Sequence, residues 1–130
     1  MLILGLVLVS IAALFHAYVF VLESLTWTTP RTRAAFGIRS DEEARATRLL
    51  AFNQGFYNLF LAVGTAVGVV LVAFMVSRTV GYALILFGAG SMAAAGVVLA
   101  VSQPKLLRAA LLQLLPPALG LAAIGIAAAG

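Results

Sequence analysis

Cysteine is absent from this chain, and histidine occurs once, at His16. Without thiols there is no disulfide framework and no thiolate-ligated metal, and one imidazole does not make a conventional metal site; no cofactor is expected. Charge is nearly as scarce, since Asp, Glu, Lys and Arg make up 9% of the 130 residues while 64% are hydrophobic. With a mean hydropathy of +1.16, the chain has too few polar side chains to surface a water-soluble globule.

What the chain does have is four stretches almost free of charge, at 1–22, 49–77, 79–102 and 109–130. Each reaches the roughly 20 residues a helix needs to cross the hydrocarbon core. The first lacks the basic start of a secretory signal and carries His16, Tyr18 and Glu23, so it reads as a retained span. The expected fold is all-α: an integral membrane four-helix bundle in one transmembrane domain, 1–130. Its helices are expected at about 1–27, 41–76, 79–102 and 106–129, with a cytoplasmic loop at 28–40.

The net charge of +4 belongs to loops flanking the membrane, which excludes nucleic acid as the reason for it. Seven of the eight cations, Arg31, Arg33, Arg39, Arg45, Arg48, Lys105 and Arg108, lie in or beside the first and third loops. Only Arg78 lies on the other side. By the positive-inside bias those two loops are cytoplasmic and both termini extracytoplasmic. Within the first loop, Pro30 biases the chain away from helix, whereas Ser40 followed by Glu43 forms a capping box that starts the second long helix near Asp41. Phe36 and Ile38 are placed to rest on the bilayer surface, although a short basic connector needs no further role.

Amides are costly in hydrocarbon, yet the second span opens with AFNQGFYNLF, residues 51–60. On a helical wheel Asn53, Gln54, Tyr57, Asn58 and Thr65 share an arc of about 140° with Gly64 and Gly68. That side is expected to face protein, because the two glycines permit close helix approach. Phe56, Leu59, Phe60, Ala62 and Val63, with Gly55 the odd member, form the expected lipid face. In the first helix, Gly5, Val9, Ala12, His16, Phe20, Glu23 and Trp27 follow one stripe. Equal rise from Trp27 and Thr47 puts His16 level with Asn58 and Glu23 level with Ala51. Ser91 on the third span and Gln113 on the fourth, next to the helix-kinking Pro116 and Pro117, fall at similar depths. The expected ligand-binding set is therefore His16, Phe20, Glu23, Trp27, Asn53, Gln54, Tyr57, Asn58, Ser91 and Gln113. Structural readings stand beside this one: Glu23 paired with Arg45 or Arg48, His16 hydrogen-bonded to Asn58 or Tyr57, and the amides acting as interhelical glue.

The segments 16-HAYVFVLES-24, Trp27, 36-FG-37 and 53-NQGFYNLFLA-62 give the chain a resemblance to a bacterial family of small four-helix membrane proteins, domain of unknown function 1304. The resemblance spans the whole chain and implies this fold and a bacterial inner-membrane setting, with no activity attached. Three function classes fit the residues. One is a protein that binds or transports a small amphipathic or lipid-like molecule in a polar pocket on the cytoplasmic side, with a homodimer as a plausible transporting unit. Another is a membrane-embedded isomerase-like enzyme in which His16 and Glu23, roughly 10 Å apart along the axis, exchange protons across a substrate. The third is an accessory subunit whose polar cluster only fixes packing.

Overall fold

The computed structural model describes all residues, 1–130, and every regular element in it is helical. Helix α1 spans Leu2–Phe20 and runs into a π-turn at Val21–Leu25; α2 is a short helix at Pro30–Phe36; α3 is Asp41–Ala73; α4 is Arg78–Ser102. A 3₁₀ turn at Pro104–Leu106 leads into α5, Leu107–Ala129. Helices α1, α3, α4 and α5, the first and last with their adjoining turns, are long and apolar enough to cross a membrane. They close into a ring in the order α1, α3, α4, α5, so that each packs on two neighbours.

The outward surface is that of a protein dissolved in lipid. Ile3, Leu14, Phe60, Phe87 and Val101 are among many large apolar side chains left exposed all round the ring, far beyond the few hundred Å² of apolar patch a soluble monomer tolerates. The interior is held by Val9, Val72, Ile85, Ala89 and Ile124. In a bilayer there is no hydrophobic drive between helices, so close backbone approach at small residues carries the packing. A Cβ on Gly68 would stand 2.8 Å from the carbonyl oxygen of Gly81, and one on Gly5 would stand 2.9 Å from that of Gly120. These two glycine contacts bring α3 against α4 and α1 against α5 at a distance no larger residue allows. Gly64, expected to pair with Gly68 at such a face, meets nothing within 4 Å; only Gly68 lies in the seam.

The segment expected to stay non-helical around Pro30 is corrected. Thr29 is extended and accepts the Thr32 N–H on its side-chain oxygen, and Pro30 takes the first helical position, where its missing N–H costs nothing. The helix stops at Gly37, whose φ of +70° is left-handed, with the Ile38 N–H bonded to the Arg33 carbonyl at 2.9 Å. A cluster of threonines fastens this turn to the end of the first span: Thr32 is buried, and its hydroxyl meets those of Thr26 (2.9 Å) and Thr29 (3.1 Å). Arg33 pairs with Asp41, tying α2 to the start of α3. There Ser40 caps the Glu43 N–H at 3.1 Å, and the Glu43 carboxylate accepts the Arg39 N–H at 3.0 Å.

With 33 residues, α3 is about 50 Å long, against a hydrocarbon core of about 30 Å. Its length therefore exceeds the hydrocarbon span by several turns, and the Arg33–Asp41 pair holds α2 at its first turn. Trp27 joins the two: its indole N–H donates to the Thr47 hydroxyl at 3.1 Å, and its ring packs edge-on to Phe36 at 5.0 Å. Phe36 is half-buried by this contact. At the far end of the chain α5 runs unbroken through Pro116 and Pro117.

Candidate functional site

The π-turn is where α1 changes character. Its wider turn, closed by a 3.0 Å bond from the Thr26 N–H to the Val21 carbonyl, aims two consecutive polar side chains at α3. Glu23 is 4% exposed, and its Oε2 accepts a 2.8 Å hydrogen bond from the Asn58 amide. The Ser24 hydroxyl donates to the Phe52 carbonyl at 2.8 Å. Space for this contact comes from Gly55, because a Cβ there would run into the Ser24 hydroxyl and stand 3.1 Å from the Glu23 Cβ. One turn of α1 and one turn of α3 are thus joined by a carboxyl–amide pair and a hydroxyl–carbonyl pair around a glycine.

Glu23 sits level with Gly55 to Asn58, about one turn deeper than the equal-rise match to Ala51. Its partner is the Asn58 amide, which corrects the expected pairing with Arg45 or Arg48; the Arg45 side chain instead donates to the Asp41 carbonyl. His16 is corrected likewise. It is buried, 1% exposed, with Nδ1 bonded to the Ala12 carbonyl one turn back at 2.9 Å, not to Asn58 or Tyr57. Drawn as a donor to that carbonyl, Nδ1 leaves Nε2 as an acceptor.

The larger correction concerns the polar arc of α3. Asn53, Gln54 and Tyr57 are exposed on the outside of the bundle, Tyr57 at 69%. Asn53 spends its amide N–H on the Leu49 carbonyl of its own helix. The face that meets protein here is Ala51, Gly55 and Ala62, two of which had been read as facing lipid. In a membrane the seam goes to whichever face lets backbones approach, so small residues outrank polar ones. Beyond Ala62 the buried line moves round to Thr65, Gly68 and Val72, because α3 turns from α1 toward α4 along its length. The buried line on α1, Gly5, Val9, Ala12 and His16, follows the sequence stripe.

The ten expected residues therefore do not line one volume. Glu23 and Asn58 touch; Phe20 stacks edge-on against Phe56 at 5.1 Å; Trp27 belongs to the loop clamp; Asn53, Gln54 and Tyr57 look outward. Ser91 and Gln113 are half-buried and make no side-chain hydrogen bond to any of the others. Ser24, Gly55 and Thr47 join the contacts without having been singled out for them. Gly55 carried a visible signal, a lone glycine interrupting an apolar face; Ser24 and Thr47 carried none. Thr65 is also buried, with its hydroxyl unpaired beside Gly88. No three His, Cys, Asp or Glu side chains gather in one place. What the arrangement offers chemically is one buried carboxyl held by an amide, with exposed amide and phenol groups elsewhere on the same turns of α3.

Residues 10–125 match the model of a family described as Protein of unknown function (DUF1304). No curated protein and no solved structure matches the chain.

Proposed function

Because the chain belongs to the family described as protein of unknown function DUF1304, a description that assigns no activity, we propose a function from its own geometry: it binds a small amphipathic or lipid-like molecule at the loop side of the bundle. The observation that carries this reading is the buried Glu23–Asn58 pair on the turns of α3 whose outer side carries the exposed Asn53, Gln54 and Tyr57. Outside the bundle, the Gln54 amide, the Tyr57 hydroxyl and the Asn53 carbonyl oxygen have no side-chain partner, so they suit a polar head group. The Glu23 carboxyl suits its cationic part once the Asn58 amide swings aside. Export of such a molecule across the membrane is the extension of this reading. The setting that fits is a bacterial plasma membrane with both termini extracytoplasmic, supported by the seven-to-one division of Lys and Arg.

A lipophilic cation, tetraphenylphosphonium, tests the site by calorimetric titration of the detergent-solubilised chain. Glu23→Gln keeps the side-chain length and a partner for Asn58, and should weaken binding about tenfold, the loss of one buried charge contact. Gln54→Ala should weaken it a few-fold without moving the melting temperature, since Gln54 is exposed. Equal affinity in all three proteins would dispose of the site. The exposed amides favour a second reading, in which two copies pair through this band; Asn and Gln carry both donor and acceptor and are self-complementary about a two-fold axis. A dimer by light scattering that dissociates on Gln54→Leu would support it, and a monomer at all concentrations would refute it.

A further inference from the structure

At the opposite end of the bundle a groove runs along the outer surface between α1 and the end of α3, enclosing about 550 Å³. This lies within the roughly 300–1,000 Å³ typical of ligand sites. Its walls are almost wholly apolar. Of its two polar members, Ser10 spends its hydroxyl on the Leu6 carbonyl at 2.7 Å. The other is Arg78, at the mouth beside the 74–77 loop. Arg78 is exposed and makes no ion pair, the only pair in the chain being Arg33 with Asp41. It is also the single Lys or Arg side chain on its side of the bundle.

Lining and charge point to the occupant. From Leu2 to Leu14 the groove follows α1 for about 18 Å and stays open along its outer side. Apolar along its length and open to the surrounding hydrocarbon, it can hold an extended hydrocarbon chain. Arg78 at the mouth supplies what an apolar chain alone would not need, a forked cation suited to phosphate. Met75 also lines the mouth and holds φ of +55°, a left-handed conformation uncommon for a residue with a side chain. We propose that this groove is a phospholipid site: one acyl chain lies along α1 at hydrocarbon depth, and the lipid phosphate rests on the Arg78 guanidinium.

Native mass spectrometry of the full chain, released from detergent in the presence of phosphatidylglycerol, tests it. The wild-type chain should retain one phosphatidylglycerol, more tightly than diacylglycerol. Val7→Trp, which fills the groove from an exposed position, should weaken retention of both lipids about tenfold. Arg78→Gln should weaken only phosphatidylglycerol, again about tenfold, as for loss of a charged hydrogen bond. Leu86→Trp, exposed on α4 outside the groove, should change neither. Equal retention by all four proteins, or no preference of the wild type for phosphatidylglycerol over diacylglycerol, would overturn the proposal. Displacement of the lipid by millimolar inorganic phosphate, with Val7→Trp unaffected, would overturn it too and assign Arg78 to free phosphate.

Discussion

Asn58 is the residue on which the junction of α1 and α3 turns. Its amide donates to the Glu23 carboxyl and, at 3.2 Å, to the carbonyl of Gln54. Removing it strands a buried carboxyl, which costs about 1–3 kcal/mol when a partner is lost, whereas Glu23→Gln leaves both groups able to pair. Asn58→Ala is therefore expected to lower the melting temperature in detergent clearly more than Glu23→Gln does. The adjacent glycine gives a sharper contrast. Gly55→Ala drives a Cβ into Ser24 and should destabilise by about 1–3 kcal/mol, the usual cost of overpacking. Gly64→Ala meets empty space and should be neutral or slightly stabilising, since alanine is the better helix former. Equal melting temperatures for the two variants would contradict the packing described. The polarity of the site was readable in AFNQGFYNLF, but its direction was not. A wheel ranks faces by polarity, and the seam was chosen by the size of Ala51, Gly55 and Ala62.

Local sequence chemistry governs the helix ends. Ser40 and Glu43 start α3, and Thr29 with Pro30 starts α2 before Gly37 ends it. Replacing a capping serine by alanine costs about 1 kcal/mol, so Ser40→Ala should speed hydrogen exchange of the amides at 43–45 severalfold and leave those of α4 unchanged. The π-turn at Val21–Leu25 has no such signature: VLESL contains neither Pro nor Gly. It exists because one wide turn lets both Glu23 and Ser24 reach α3, a tertiary reason. The threonines behave the same way. Thr26, Thr29 and Thr32 look like ordinary loop residues in the sequence, and only the fold brings the hydroxyls of Thr26 and Thr29 within 2.9 and 3.1 Å of that of Thr32. Thr32→Val should therefore loosen the 26–37 segment, seen as faster exchange at Arg33 and Ile38 than in the wild type.

At the scale of the whole molecule, the absence of cysteine makes topology directly testable. Single cysteines at Thr28 and at Ser77, each placed in an otherwise thiol-free chain, should label from opposite sides of a sealed membrane. With the charge division of the loops, Ser77→Cys is expected to react with an impermeant maleimide added outside cells, and Thr28→Cys only after permeabilisation; the reverse pattern would invert the orientation. By itself the sequence determined that the chain is helical, that four of its helices are long and apolar enough to cross a membrane, and which residues on α1 point inward. Those properties follow from composition and from a period of 3.6, and both are local. The tertiary structure alone decided that Glu23 pairs with Asn58, that Asn53, Gln54 and Tyr57 face outward, and that an apolar groove ends at Arg78. Lipid gives no hydrophobic preference for one helix face over another, so the close fit of glycines such as Gly55 and Gly68 to their neighbours sets the rotation of each helix, and that fit exists only once all four helices are in place.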